Sequence, residues 1–328
     1  SIQITMLLVR PIQRSPATSN TFSQQSQKAS PATQLMPRIF EKHGKSDLLR
    51  RHHPGQANDP TFTTPSGGIM QYETVSIDIT DDFVATITLN RAEQLNTFTT
   101  RMATDLLNAL DELDSDKRVR TIVIKGSGKA FCAGIDVNEL FGKSTLEYQK
   151  WIELMESPLG FIGKMSKPVI AQVHGVAAAN GLGLVAACDL AVAAENARMG
   201  LTAINVGLNC VGPVVPIARL VGRKRALELL LYGDLIPASR ALEMGIVNRI
   251  CKAEDLDRET HEWAAVLARK SPIAVQIAKK AFYASEDMEY HKAFEYMNEA
   301  FARLCSTEDA KEGVSAFLEK RQPSWQER

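Results

Sequence analysis

The sequence predicts an α/β fold, and three observations carry that prediction. Apolar and polar residues alternate over residues 75–89, the two-residue period of half-buried strands. A stretch of helical period follows, and then a short apolar run, 121–124, in the spacing of a strand, helix, strand crossover. Finally, the apolar run 168–173 passes through the small-residue segment 175–183 into Leu184, Val185 and Ala186, which have helical character.

Taken in order, Val75, Ile77 and Ile79, then Phe83, Ala85, Ile87 and Leu89, form a β-hairpin about Thr80-Asp81-Asp82. After the loop 90–96, Thr99 or Thr100 caps a helix that sets Met102, Leu106, Ala109, Leu110 and Leu113 on one face. The strand 121–124 ends in the turn Lys125-Gly126-Ser127-Gly128, and a right-handed crossover makes its pairing parallel. Residues 144–165 read as helix, ending near Ser157-Pro158 or at Ser166-Lys167-Pro168, and 190–194 is a short strand. Gly212-Pro213 opens a segment that leads to the basic patch 222–225 and the apolar helix 226–231. Another helix begins at Ile236-Pro237-Ala238 and stops at Gly245, with strand-like Ile246-Val247 behind it. From Leu256 onward the pattern is almost wholly helical, and no internal repeat is evident.

Composition removes several function classes. The 328 residues carry 38 Lys and Arg against 38 Asp and Glu, with no long basic run in the globular part, so a nucleic-acid partner is not expected. The longest apolar stretch, 169–192, is broken by Gln172, His174, Asn180 and Asp189, so no membrane span is expected. Five scattered cysteines without CxxC spacing point to neither a zinc site nor a disulfide framework, and no metal is expected; a reducing compartment fits them better. Residues 1–69 are rich in Ser, Gln, Pro and basic side chains and poor in acids, the composition of a disordered extension. Two readings of that extension stay open. It is either a mitochondrial transit segment, which places the protein in the matrix, or an upstream extension before Met70, which leaves it cytoplasmic.

Two segments point to chemistry. A strand that feeds a helix through small residues leaves unpaired N–H groups at the helix N-terminus, where the dipole favours negative charge. Residues 167–189 have that character, and tiny side chains there let a carbonyl approach the main chain. Residues 129–140 repeat the logic, with Ala133 and Gly134 bringing backbone close to a ligand. Asp136 there is either an ordinary turn cap or part of the site.

Five segments in register are similar to the enoyl-CoA hydratase/isomerase, or crotonase, family: LNRAEQLNTF from Leu89, GKAFCAGIDVNEL from Gly128, KPVIAQVHGVAAANGLGLVAACDLAVAAENARMG from Lys167, LYGDLIPASRALEMGIVNRI from Leu231, and EGVSAFLEKRQPSW from Glu312. The resemblance implies a spiral of ββα turns over residues 70–265, and a helical trimerisation segment over 266–328 that assembles trimers or pairs of trimers. It implies an acyl-CoA ligand, with coenzyme A as the thioester part of the substrate and no tightly bound cofactor. Its oxyanion hole falls on the backbone N–H groups of Ile135 and Asn180; the family commonly has Gly at the latter position, and Asn tolerates left-handed backbone angles. Both glutamates of the hydratases are missing, their positions being held by Gly183 and Ala203, and the isomerase base is also missing at Ala203. That departure points to non-standard or reduced hydratase chemistry, or to a non-catalytic acyl-CoA-binding protein. Asn209 and Cys210 are candidate replacements, Cys210 on condition of a depressed thiol pKa. His174 is more readily a hydrogen-bonded structural histidine. For CoA, the resemblance implies Glu93, Gln94 and Leu95 near the adenine, Ala133, Gly134 and Asp136 along the thioester loop, and Lys279 and Phe282 from the C-terminal helices. VGLNC from Val206 and AFLEKRQPSW from Ala316 are similar to the branch typified by enoyl-CoA hydratase domain-containing protein 3.

Overall fold

The computed structural model describes residues 71–328, so the expected extension over 1–69 lies outside the described residues. The hairpin forms as β1 (Val75–Ile79) and β2 (Val84–Leu89), antiparallel with Ile77 opposite Ile87. Helix α1 (Thr100–Ser115) starts at Thr99, whose hydroxyl accepts from the Met102 N–H, and all five expected apolar residues of its inner face are buried. β3 (Thr121–Gly126) then pairs parallel to β2, as the crossover rule requires.

Helix α2 (Thr145–Ile162) opens with a capping box between Ser144 and Glu147 and runs straight past Pro158. Proline removes the N–H that would bond the carbonyl four residues back. The Ser157 hydroxyl donates to that carbonyl, on Leu154, at 2.7 Å, so the helix continues to Ile162.

Every residue of β4 (Val169–Val173) is buried. Gln172 tolerates this because its amide donates to the Asp257 carboxylate. The chain then leaves the main sheet at Gly175, where φ is +58° and a Cβ would stand 2.0 Å from the Lys129 carbonyl oxygen. Only glycine fits that crossing. The turn delivers β5 (Val176–Ala178), a strand too short to show in the sequence pattern, and then α3 (Asn180–Ala187). The small-residue segment is therefore not a loop up to Gly183. It is a strand, one bend and the first turn of a helix that begins four residues earlier than expected.

β6 (Leu190–Ala194), β7 (Arg198–Gly200), α4 (Val214–Val221), α5 (Arg223–Tyr232), β8 (Ile236–Pro237) and α6 (Ala238–Met244) follow. Helix α4 occupies the segment after Gly212-Pro213 that the sequence left unassigned. The last strand is β9 (Arg249–Cys251), not Ile246-Val247. Those two residues are buried, but Asn248 makes the approach to the sheet with its N–H on the Ala191 carbonyl and its side chain accepting from the Ala191 N–H. Burial alone does not distinguish a packed turn from a strand.

The main sheet has the order β1-β2-β3-β4-β6-β9, parallel after the first pair, and β5, β7 and β8 make a small second sheet. Helix α7 (Leu256–Ala268) lies against β2, β3, β4 and β6, so the division expected at 265/266 falls inside a helix of the core. Helices α8 (Pro272–Ser285), α9 (Tyr290–Cys305) and α10 (Glu308–Glu319) complete the chain. Among the described residues no helix is long and apolar enough to cross a membrane.

Candidate active site

The bend before α3 fixes one side of the site. Ala179 adopts φ +50° and ψ −115°, a conformation that a residue with a Cβ adopts only at a cost of about 1–3 kcal/mol. Its N–H is anchored on the Gly200 carbonyl at 2.8 Å. Asn180 is thus not the residue in a left-handed conformation; the bend falls one residue earlier, and Asn180 opens the helix. Among the described residues its backbone N–H has no partner, and its buried Nδ2 has none either. The N-terminal end of the α3 dipole lies at the same place.

The other side is the segment 131–136. Cys132 donates its N–H to Val176 and accepts from Ala178, zipping this segment to β5. Phe98 donates to the Gly134 carbonyl at 2.8 Å and accepts from the Asp136 N–H at 2.7 Å. These bonds leave the intervening Ile135 N–H without a partner among the described residues. Gly134 makes the segment possible, with φ +110° and room for its missing Cβ taken by Ala179 at 3.0 Å. Asp136 is an anchor beside this loop. It pairs with Arg91 at 2.9 Å and accepts from the N–H of Asn138, capping the turn Val137–Glu139. Burial alone would push its carboxyl up, but the bonds from Arg91 and Asn138 outweigh burial and hold it below the ordinary value.

Ile135 and Asn180 both line one cavity of about 470 Å³, together with Ala133, Gly134, Ala203, Asn209 and Cys210. Two unpaired backbone N–H groups on residues that line one cavity can donate to a carbonyl oxygen that gains charge. The two positions at which the family resemblance implied a missing glutamate differ. Ala203 faces the cavity, whereas Gly183 is a helical position whose Cβ would stand 2.8 Å from Pro213 Cβ and 2.9 Å from Leu159 Cδ2. No side chain fits at Gly183 unless Pro213 or Leu159 moves.

Cys210 does not meet the condition set for it. Burial pushes its thiol up, against a smaller opposing contribution from the Ala203 backbone, so it is not a ready thiolate. Asn209 spends its side-chain oxygen on the Cys210 N–H at 2.8 Å. His174 is half-buried with Nε2 at 3.1 Å from the Gly128 carbonyl oxygen, away from the cavity.

One carboxylate in the cavity escaped the sequence reading. Glu156 lies on α2 at four-residue steps from Tyr148 and Ile152, and all three line the cavity. It is half-buried and has no hydrogen-bond or ion-pair partner among the described residues; burial pushes its carboxyl up. An acid on an otherwise apolar face, between Ile152 and Leu159, was the available signal.

The expected CoA contacts are more scattered. Glu93, Gln94 and Leu95 are exposed on and after the turn Ala92–Gln94, and the Leu95 carbonyl accepts from the Ala133 N–H at 3.0 Å, which ties this turn to the Ile135 loop. Lys279 is not free for a phosphate. It is buried, donating to Asp189 at 2.7 Å and to the Lys167 carbonyl at 2.8 Å. Phe282 is exposed on α8 and does not line the cavity.

The chain matches the family described as enoyl-CoA hydratase/isomerase over residues 80–328. It is similar to the crystal structure of an enoyl-CoA hydratase of Mycobacterium smegmatis, 38% identical with a TM-score of 0.75, covering 77% of this chain and 99% of that one. Human enoyl-CoA hydratase domain-containing protein 3 superposes with a TM-score of 0.74 at 31% identity, covering 77% and 100%. The short-chain-enoyl-CoA hydratase of Clostridium acetobutylicum is 31% identical over 73% of this chain and 92% of its own. With the sheet, the helical C-terminal region and the match over most of its length, the chain belongs to the enoyl-CoA hydratase/isomerase family.

Proposed function

We propose that this protein binds acyl-CoA thioesters in the cavity beside α3 and stabilises a thioester oxyanion or enolate through the N–H groups of Ile135 and Asn180. The observation that carries the reading is that Ile135 and Asn180 line one cavity and that neither backbone N–H has a partner among the described residues. Loss of one such donor typically costs about 2.7–4 kcal/mol of transition-state stabilisation. Coenzyme A enters as the thioester moiety of the ligand, near the turn Ala92–Gln94 that is tied to the Ile135 loop. The absence of a carboxylate at Gly183 and Ala203 makes two-glutamate water addition unavailable, so hydration is slow. A second reading, a non-catalytic acyl-CoA-binding protein, is favoured by the packing of Pro213 and Leu159 against Gly183. The protein assembles as trimers or pairs of trimers; the apolar side chains Phe282, Phe294, Phe301 and Phe317, all exposed on α8–α10, offer a contact surface for such an assembly.

The test is calorimetric titration with crotonyl-CoA beside a hydration assay, on material sized by light scattering. Saturable binding to a species of three or six chains is expected, with hydration at least about 100-fold slower than by a relative carrying both glutamates. Failure to bind contradicts the acyl-CoA reading. Rapid hydration contradicts the reduced-hydratase reading.

A further inference from the structure

We propose that Glu156 is the acid–base residue of this cavity and that the protein moves a proton between carbons of an unsaturated acyl-CoA. The inference rests on the acyl-CoA reading above and adds to it the group that performs the chemistry.

Three observations place Glu156 in that role. Among the described residues it is the only carboxylate lining the cavity that Ile135 and Asn180 also line. The other ionisable side chains there are the Tyr148 phenol and the Cys210 thiol. Second, Glu156 is uncommitted: Asp136 is tied to Arg91 and Asp189 to Lys279, whereas Glu156 has no hydrogen-bond or ion-pair partner among the described residues. Third, the backbone opposite makes room for it. A Cβ on Gly212 would stand 1.6 Å from Glu156 Oε1 and 2.0 Å from its Cδ, so the carboxylate occupies the space a side chain at Gly212 would fill. Burial favours the protonated form of Glu156, the direction in which a carboxyl is tuned for acid–base work.

One carboxylate with one oxyanion hole suits a shuttle in which the same group removes and returns the proton. With a 3-enoyl-CoA, Glu156 takes a proton from C2 and the C–H electron pair forms the C1–C2 double bond. The carbonyl pair moves to the oxygen, where the Ile135 and Asn180 N–H groups hold it. The pair then returns as carbonyl, C2–C3 becomes the double bond, and the former C3–C4 pair takes the proton from Glu156 at C4. The product is the conjugated 2-enoyl-CoA. Nothing is oxidised or reduced, and no water is added.

The experiment incubates the full chain with 3-hexenoyl-CoA in deuterium oxide. Conjugation is followed by ultraviolet absorbance, deuterium at C4 by mass spectrometry, and affinity by calorimetry. Wild type is expected to conjugate the substrate with deuterium uptake. Glu156→Gln should lose at least about 100-fold in rate while keeping its affinity within a few-fold. Glu156→Asp should retain part of the rate, and Gly212→Ala should slow turnover by displacing the carboxylate, again with binding kept. Binding by wild type without conjugation or deuterium uptake overturns the proposal and leaves the acyl-CoA reading intact, as does a Glu156→Gln variant of undiminished rate. Absence of binding by wild type overturns the acyl-CoA reading itself, and this proposal with it.

Discussion

Lys279→Met is expected to lower stability by about 3–5 kcal/mol, the usual result of stranding one member of a buried ion pair. The Lys279 side chain is 6% exposed and that of Asp189 15%. Besides Lys279, Asp189 accepts from two further donors: the Val169 N–H at the start of β4 at 2.7 Å and the Tyr283 hydroxyl at 2.9 Å. One carboxylate thus joins β4, the turn after α3 and helix α8. The Tyr283 hydroxyl titrates above its ordinary range because it is buried and then because the Asp189 charge stands beside it. Removing the ammonium leaves a buried charge with two neutral donors. Chemical denaturation of Lys279→Met and of the double variant Lys279→Met, Asp189→Asn measures this directly. The double variant should recover part of the loss, because neither partner is then stranded. A fully stable Lys279→Met variant with weakened CoA affinity would instead restore Lys279 to the ligand site that the sequence suggested.

The second large effect is expected at Gly181. A Cβ there would stand 2.2 Å from the Cys132 carbonyl oxygen and 2.9 Å from the carbonyl carbon, both backbone atoms with nowhere to go. The Cys132 carbonyl already accepts from the Ala178 N–H at 2.9 Å. Gly181→Ala must therefore push α3 away from the segment that carries Ile135. Overpacking in a dense interior costs about 1–3 kcal/mol, and backbone on both sides puts this site at the upper end. Because the two unpaired N–H groups sit on the two parts being separated, acyl-CoA affinity and any turnover should fall further than stability does. Thermal unfolding and calorimetric titration of the same sample compare the two losses. Unchanged affinity in a destabilised Gly181→Ala variant would show that the separation of these parts does not matter to the ligand.

Much of the fold is legible in the sequence where a period or a cap acts locally. Alternation gives β1 and β2, the apolar run gives β4, and Thr99 marks the start of α1 through a hydroxyl three residues from its N–H partner. What escapes is set by contacts between distant segments. β5 spans three residues and exists because it pairs with Cys132 and β7. The end of α2 depends on Ser157 replacing a lost bond at Pro158, a compensation that a proline rule does not contain.

The candidate site divides in the same way. Small residues at 133–134 and 178–181 mark where the segment 131–136 and the start of α3 pack closely against each other, since their meaning is steric and local. The left-handed bend fell on Ala179 rather than Asn180, because the hydrogen bond from Ala179 to Gly200 sets the angle. Lys279 looked like a phosphate ligand because its partner, Asp189, is 90 residues away. In the sequence Glu156 is one charged helix residue among several; what distinguishes it is the packing of α2 along the cavity, with Gly212 against its carboxylate.

The central claim is that two backbone N–H groups, on Ile135 and Asn180, receive a thioester carbonyl oxygen. Isotope-edited infrared difference spectroscopy of crotonyl-CoA labelled with carbon-13 at C1 reads that contact at the bond concerned. The carbonyl stretch of the bound thioester is expected at lower frequency than in water, as two aligned donors polarise it. A bound ligand whose carbonyl stretch stays at or above its aqueous frequency would contradict the claim.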